Sequence, residues 1–241
     1  MPATAVQDWT STTTTTTTPA TCTLTFGSAA TAGTTLLVAV NSDATVGTPS
    51  GYTSLVSSIH NAGCYLFGKV AAGGETSVTV TPSVSASTCV AMAEIGNLSG
   101  AAIANRLDVS TSNGAASAAF TWSTGTTGTT AQADEYAVAV WGYSAAVGTG
   151  SDFTTGGGNK WINQTNGFTE KLDVGTTKAV NTNVGLCIAV KDLSSTGTVE
   201  STVTELNSQA TPAETLIATF KASAAASATM WRRPRGPNYR R

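Results

Sequence analysis

Charged side chains are scarce in this sequence. Asp, Glu, Lys and Arg make up 11% of its 241 residues, whereas soluble domains typically contain about 25%. This scarcity argues against a charge-rich disordered chain and against a long coiled coil. No window shows a sustained helical period, and the longest aliphatic run, residues 36–40, is far shorter than the roughly 18 residues of a membrane-spanning helix. We therefore predict no membrane insertion.

Catalytic signatures are missing as well. The sequence contains no G-x-S-x-G, G-x-G-x-x-G, P-loop, H-E-x-x-H or EF-hand pattern. His60 is the only histidine, so a Ser–His–Asp or Cys–His site would have to use it. A single histidine in a loop is ordinary, and we predict no catalytic residue, no cofactor and a protein that is not an enzyme. A hydrolase stays as an alternative that requires His60 or Glu94 to face a cleft.

Three acidic residues bear on that alternative. Glu94 lies within an apolar predicted strand, where burial is expected to raise its pKa and where Lys69 is an equally good salt-bridge partner. Asp134 and Glu135 are adjacent, so on a strand they point to opposite faces. That arrangement does not match the paired carboxylates of a glycosidase.

Cysteine pairs with metal-binding spacing are absent too. The four cysteines, at positions 22, 64, 89 and 187, are far apart, and no C-x-x-C occurs. A zinc site requires closely spaced ligands, so we predict no metal site. Buried free thiols are the favoured prediction, with one late-formed disulfide as the alternative.

Threonine, in contrast, is abundant, with 45 residues, and Thr and Val favour pleated, half-buried surfaces. Residues 21–26 and 76–81 alternate apolar and polar side chains, as half-buried strands do. Interior strands, apolar on both faces, are predicted at residues 64–70, 89–95, 136–141 and 186–190. Turn sequences such as Asn113-Gly114 separate about a dozen strands. The pattern predicts an all-β fold, an antiparallel jelly-roll-like β-sandwich, with two tandem Ig-like sandwiches as the alternative.

The two halves of the sequence resemble each other. Similar segments follow in the same order: residues 31–40 and 131–140, 51–53 and 167–169, 65–69 and 187–191, and 90–94 and 216–220. Two copies are too few for a solenoid, and no Pro-rich or charged linker occurs near residue 101. We predict one β-sandwich domain over residues 1–222, with similar halves at about 20–100 and 120–222, followed by an arm over residues 223–241.

Near the N-terminus, residues 12–18 are seven consecutive threonines. Such low complexity is also found in flexible or O-glycosylated stalks. Their β-branching and the alternating segment that follows favour an edge strand whose threonines face water. Residues 1–9 have no basic or apolar stretch of a secretory signal, so we predict synthesis in a cytoplasm.

The C-terminal arm holds five of the 12 basic residues, and the rest of the chain, with 7 basic and 14 acidic residues, has a net charge of −7. Pro and Gly exclude a helix over most of the arm. An acidic body opposes duplex binding by arginine–phosphate contacts, so nucleic acid is not the expected partner. Trp, Tyr and Arg dominate binding hot spots. We predict docking onto an acidic protein neighbour, with a disordered solubilising end as the alternative, through Trp231, Arg232, Arg233, Arg235, Tyr239, Arg240 and Arg241.

Glycan binding is the main functional alternative, because β-sandwich lectins stack sugars on exposed aromatic rings. Trp161 follows a Gly-rich stretch in a long second-half insertion, and loops often carry function. We select Trp161 and Phe168 as candidate glycan contacts. Trp141 lies in an apolar strand and is predicted to belong to the core.

Five segments carry a further resemblance: residues 29–40, 49–52, 71–80, 130–135 and 217–221. Together they resemble Thr/Ala-rich β-sandwich modules of tailed bacteriophage virions, and the likeness covers roughly residues 20–222. Such modules occur in minor tail proteins, adhesins and capsid-decorating proteins. The resemblance implies a non-enzymatic structural role in capsid decoration or as a minor tail protein, and it supplies no catalytic residues.

The resemblance also sets expectations for partners and location. The expected partners are other virion proteins, namely major capsid or tail proteins, together with further copies of this chain in a homo-oligomer. Under the glycan-binding alternative, the partner is a host surface glycan. The expected location is the virion surface, after synthesis in the host cytoplasm.

Overall fold

The computed structural model describes residues 2–15, 21–60, 62–145, 161–162, 164–176, 183–205 and 211–223. Seven strands form its first half: β1 (Thr4–Thr15), β2 (Cys22–Thr25), β3 (Thr35–Ser42), β4 (Thr53–Ile59), β5 (Gly63–Val70), β6 (Ser77–Val80) and β7 (Ser87–Gly96). Five of these strands make one large sheet in the order β1-β7-β3-β5-β4, and β2 pairs with β6 in a small sheet.

The second half repeats this plan. After the short helix α1 (Ile103–Arg106) come β8 (Leu107–Ser112), β9 (Ala115–Ala119), β10 (Thr121–Ser123), β11 (Asp134–Ala145), β12 (Trp161–Ile162), β13 (Thr169–Gly175), β14 (Asn183–Ser194), β15 (Thr202–Glu205) and β16 (Thr211–Lys221). The large sheet has the order β13-β14-β11-β16-β8, with β9 also paired to β16, and the small sheet has the order β10-β15-β12. Every described strand pairing is antiparallel.

The sheets stack in four layers. The two large sheets face each other across a central cluster, and each small sheet covers the outer face of the large sheet of its own half. Strand β3 shows how the period of two builds these layers: Leu37 belongs to the central cluster, whereas Leu36 and Val38 belong to the outer cluster under β2 and β6. The prediction of an all-β protein with antiparallel sheets is confirmed.

Several predicted strands have the expected place. The four segments predicted to be interior strands lie in β5, β7, β11 and β14, each with a neighbour on both sides. Strand β1 extends through the first threonines of the run to Thr15 at the edge of its sheet, as predicted, and residues 16–18 lie outside the described part. In the described part of the chain, no helix has the length and apolarity needed to cross a membrane.

Strands with the same place in the two large sheets correspond in detail. Both β4 and β13 contain a β-bulge at the same point, where Leu55 and Lys171 are the extra residues. Counting from the bulges, Gly68 of β5 corresponds to Val190 of β14. The registers of β3 and β11 then make Leu37 correspond to Val138, and both of these side chains belong to the central cluster.

This correspondence differs by one residue from the similarity seen in the sequence. The sequence comparison pairs residues 31–40 with 131–140 and therefore Val38 with Val138. Val38 packs in the outer cluster and Val138 in the central one, because a shift of one residue moves a strand side chain to the opposite face. The residues that correspond between the two halves are therefore defined by the strand pairing and by the layer in which each side chain is buried.

Asn113-Gly114 separates two strands, β8 and β9, as predicted. Both of these strands pair with the same strand, β16. The two residues interrupt one sheet edge and the chain continues along it. The physical reason is that Asn113 is tied to β16 itself, through its backbone N–H to the Thr215 carbonyl.

Candidate functional site

The only histidine of the sequence lies where the two halves meet. Glu214, on β16 of the second half, accepts three hydrogen bonds from β4 and the residue after it in the first half. Ser58 Oγ donates at 2.6 Å, the His60 backbone N–H at 2.8 Å, and His60 Nδ1 lies 2.9 Å from the carboxylate. We call Ser58, His60 and Glu214 the junction site.

Burial differs sharply across the junction site. The Glu214 side chain is only 2% exposed, whereas the His60 side chain is 48% exposed. Backbone packs directly on the group, because a Cβ added to Gly114 would overlap Glu214 Oε2 and Ser58 Oγ. The cluster is therefore closed on the carboxylate side and open to solvent on the imidazole side.

The chemistry of this arrangement differs from that of a serine–histidine site. In such a site the serine hydroxyl gives its proton to the histidine, and the carboxylate binds the other ring nitrogen. Here Ser58 and His60 both bind the same oxygen, Glu214 Oε2. The geometry joins the halves through a shared acceptor and does not activate the Ser58 hydroxyl.

Glu94 does not behave as predicted. Burial on its own raises the pKa of this carboxyl, but hydrogen bonds from Gln7, Thr31 and Thr34 lower the pKa below its ordinary value. The alternative partner Lys69 forms its ion pair with Glu75 at 2.9 Å instead. Glu94 is thus an ionised structural acceptor, and the prediction of a raised pKa was wrong.

Glu135 is an acid whose pKa is raised. As predicted, it and Asp134 point to opposite faces: Glu135 is 2% exposed and Asp134 is exposed. Burial and the neighbouring Asp108 carboxyl raise the pKa of Glu135 to about 7. Asp108 accepts a hydrogen bond from the Ala131 N–H at 2.6 Å and lies 3.9 Å from Lys221 Nζ. When Glu135 holds a proton, the negative charge of Asp108 is therefore balanced by the positive charge of Lys221.

Two surface grooves are lined by residues of the second half, one of them together with residues of the first. The outer groove, of about 590 Å³, is lined by polar groups that include Thr126, Asn166, Lys191 and Glu200. The side groove, of about 360 Å³, lies between β1 and the strands β13 and β14, and its lining includes Ala5, Tyr136, Thr169, Lys171 and Val190. Neither lining includes a residue of the junction site.

The predicted glycan contacts are placed as follows. Phe168 is 7% exposed and packs in the outer cluster of the second half with Trp122 and Trp141. A sugar ring could not stack on Phe168 unless that cluster opened. Trp161 lies in β12, whose backbone pairs with β15, and its side chain lies outside the described structure. Trp141 is fully buried, as predicted.

The docking residues of the arm, Trp231, Arg232, Arg233, Arg235, Tyr239, Arg240 and Arg241, lie outside the described residues. The last described residue is Ser223, whose N–H donates to the Asn97 carbonyl. Ala222 forms an isolated bridge with Leu98. The arm therefore begins beside the segment that connects the halves.

All four cysteines are free and buried, which confirms the favoured prediction. Within the described residues, no group of three or more His, Cys, Asp or Glu side chains is arranged to hold a metal ion.

Comparison with protein-family models, with curated proteins and with solved structures gave no match for this chain.

Sequence reasoning identified His60 but missed the residues that bind it, Ser58 and Glu214. A signal for Glu214 was present, because an acid stands in the otherwise apolar and threonine-rich segment of β16, just as Glu94 stands in β7. No signal marked Ser58, which is one of many serines in the sequence and is buried in the folded protein.

Proposed function

We propose that the protein is a non-enzymatic structural protein on the surface of a tailed bacteriophage virion, either a capsid decoration or a minor tail protein. In this proposal a jelly-roll-like β-sandwich body is exposed on the particle. An extended basic C-terminal arm docks it onto major capsid or tail proteins, and several copies assemble as a homo-oligomer.

One observation carries the non-enzymatic part of the proposal. His60 is the sole histidine, and its Nδ1 and backbone N–H both bind the buried Glu214 carboxylate. The Ser58 hydroxyl donates to the same carboxylate. The groups that a hydrolase would use are thereby committed to holding the two halves together.

The body has properties that suit a surface subunit of a particle. Cross-sheet hydrogen bonds reinforce the central cluster, since Asn41 Nδ2 donates to the Tyr143 and Gly185 carbonyls, both at 2.8 Å. Cys89 Sγ also donates to the Val184 carbonyl of the facing sheet. Paired layers with buried polar ties favour a single rigid arrangement, which a repeating lattice requires.

Charge supports the docking part. The body has a net charge of −7 and the arm carries five arginines. Attraction between opposite charges therefore favours binding of the arm to the body of another copy or to another acidic surface. Arginine is also suited to bidentate carboxylate recognition.

The test is incorporation into particles. In a lysate of the phage that encodes the chain, an antibody should detect the protein in purified virions. A variant lacking residues 231–241 should be lost from virions while remaining folded and soluble. The matched control replaces Trp231 and Tyr239 with Ala and keeps all five arginines, so that it separates charge from aromatic anchoring.

Normal incorporation of the truncated variant would contradict docking by the arm, and absence of the intact protein from virions would contradict the virion role. His60→Ala should be incorporated as well as the wild type. A hydrolytic activity that is lost in His60→Ala would instead support an enzyme.

The glycan-binding alternative draws support from the outer groove, whose lining offers hydroxyl, amide, carboxylate and ammonium groups. Glu200 accepts hydrogen bonds from Ser123 and Thr126, both at 2.7 Å, so part of this polar surface is already ordered. Binding of the intact protein to a glycan array, with loss of binding in Asn166→Ala, would favour this alternative.

A further inference from the structure

An ion pair on the surface of the first half joins the end of β5 to the loop that follows it. Lys69 Nζ lies 2.9 Å from the Glu75 carboxylate and 5.2 Å from the centre of the Tyr52 ring. Glu75 also accepts hydrogen bonds from the Ala72 and Gly73 N–H groups, both at 2.9 Å. The two opposite charges of this ion pair therefore neutralise each other.

The second half has a lysine and a glutamate at the corresponding positions. Counting from the β-bulges, Lys69 of β5 corresponds to Lys191 of β14. Glu75 corresponds to Glu200, because each begins the sequence E-x-x-V-T and stands two residues before the small-sheet strand, β6 or β15. The chain between the two charges is longer in the second half: Lys69 and Glu75 are 6 residues apart (75 − 69), whereas Lys191 and Glu200 are 9 apart (200 − 191).

In the second half these two charges do not pair with each other. Lys191 Nζ instead donates to the Asn166 carbonyl at 2.6 Å, and the Asn166 side-chain amide donates to the Glu200 backbone carbonyl at 2.9 Å. The Glu200 carboxylate accepts hydrogen bonds from the Thr126 and Ser123 hydroxyls, which lower its pKa below the ordinary value. Glu200 is therefore ionised at neutral pH, and among the described residues no ion pair includes it or Lys191.

The outer groove is the space that these two unpaired charges line. Its lining includes Lys191 and Glu200 together with Ser195, Thr196 and Thr198 of the longer loop, and its volume is about 590 Å³. Small-molecule sites typically have volumes of about 300–1,000 Å³ and a few polar groups that fix the ligand. One groove thus combines an ammonium group, a carboxylate and several hydroxyls.

We propose that the outer groove binds an acidic sugar, whose carboxylate pairs with Lys191 and whose ring hydroxyls donate to Glu200. The sugar carboxylate takes the place that Glu75 has beside Lys69 in the first half. Glu200 already accepts hydrogen bonds from two hydroxyls, and an ionised carboxylate has lone pairs for further donors of this kind. Hydrogen bonds to ionised groups are stronger than neutral ones. This site specifies the ligand class of the glycan-binding alternative and rests on that alternative.

Titration of the intact protein with sodium glucuronate, at low salt and neutral pH, tests this assignment. Glucose is the matched control, because it has the same ring and carries a hydroxymethyl group in place of the carboxylate. Binding is followed by the backbone amide signals of the outer groove in ¹H–¹⁵N NMR spectra. We expect glucuronate to bind about tenfold more tightly than glucose, since a hydrogen bond to a charged group contributes about 1.5–3 kcal/mol.

Variants of the two charged residues separate their roles. Lys191→Gln should remove the preference for glucuronate over glucose, whereas Lys191→Arg should keep it. Glu200→Gln should weaken the binding of both sugars by about tenfold, because both use ring hydroxyls. The matched controls are Lys69→Gln and Glu75→Gln, which change the corresponding residues of the first half and should leave glucuronate binding unchanged. Circular dichroism shows whether each variant is folded.

Equal affinities for glucuronate and glucose in the wild type, or no binding of either sugar, would overturn the proposal. A preference for glucuronate that survives in Lys191→Gln would place the carboxylate elsewhere and would overturn it as well. Glycan-array binding that is lost in Asn166→Ala but confined to uncharged glycans would keep the glycan-binding alternative and reject the acidic sugar. None of these results depends on incorporation into particles, so the acidic-sugar site and the virion role can fail separately.

Discussion

Asn41 and Gly142 occupy corresponding positions in the two halves and lie against each other across the central interface. Asn41 pairs with Cys64 on the neighbouring strand, and Gly142 pairs with Leu186, the counterpart of Cys64. A Cβ added to Gly142 would lie 2.6 Å from Asn41 Cγ. One half therefore contributes a polar side chain and the other the space for it, so the two halves are not interchangeable at this point.

Gly142→Ala should lower the free energy of unfolding by about 1–3 kcal/mol, the usual cost of overpacking. The added methyl group would displace the Asn41 amide from the two carbonyls that it binds in the facing sheet, Tyr143 and Gly185. Urea unfolding followed by tryptophan fluorescence measures this change.

The control for Gly142→Ala is the double variant with Asn41→Ala. Because the two residues are in contact, their effects should not add, and the double variant should lose less than the sum of the single changes. Strict additivity would show that the alanine methyl group is accommodated without moving Asn41.

The all-β class of this fold and the buried face of several strands could be predicted from the sequence, because burial imposes a period of two. Trp141 lies in an apolar segment and Leu24 in an alternating one, and both side chains are buried, as the pattern predicts. The residue-level correspondence of the halves could not be predicted. Val38 and Val138 look alike in sequence but face different layers, and only the strand register shows this.

The junction site shows the same limit. His60 could be selected as a candidate from the sequence because it is the only histidine. Its partner Glu214, however, lies 154 residues away in the sequence. Nothing local encodes such a contact, which arises from the packing of β4 against β16. Glu94 could be located but its pKa could not, because the donors Gln7 and Thr34 come from other strands and loops.

Gly114→Ala should open the junction site. The new Cβ would overlap Glu214 Oε2 and Ser58 Oγ, and a buried carboxylate that loses its donors costs about 1–3 kcal/mol. We expect a loss of that size in urea unfolding, together with a changed chemical shift of the His60 ring protons.

The matched control for this change is Gly128→Ala. At Gly128 the nearest atom to an added Cβ is Val109 Cγ1 at 3.8 Å, and neither glycine has a left-handed φ. Gly128→Ala should therefore leave stability and the His60 signals unchanged. A Gly114→Ala protein as stable as this control would show that the three junction hydrogen bonds contribute nothing net.

The four thiols should be unreactive in the folded protein. Burial raises the pKa of Cys22 to about 11 and holds the pKa values of Cys89 and Cys187 well above the ordinary value, so the thiolate that reacts with maleimides is rare. Labelling followed by mass spectrometry should proceed at the rate of global unfolding. The exposed thiol of Thr169→Cys should react at once, and fast labelling of a native cysteine would contradict its burial.

Glu135 should make stability fall as the pH rises toward neutrality. Its pKa is raised to about 7 in the folded protein from an ordinary value near 4.3 in the unfolded chain, so the folded state binds the proton more tightly. The stabilising contribution is complete below the unfolded pKa and is lost as the pH rises through the folded pKa. The change is on the order of 3–4 kcal/mol between pH about 4 and 8.

Urea unfolding of the wild type and of Glu135→Gln over that pH range measures this contribution as the difference between the two curves. Glu135→Gln keeps the shape of a protonated carboxyl, so the difference should grow as the pH rises. Glu94→Gln is the opposite case, because the lowered pKa of Glu94 stabilises the fold above its unfolded pKa and the contribution is lost only as the pH falls. A Glu135→Gln curve parallel to the wild type at every pH would show that Glu135 does not hold its proton against Asp108.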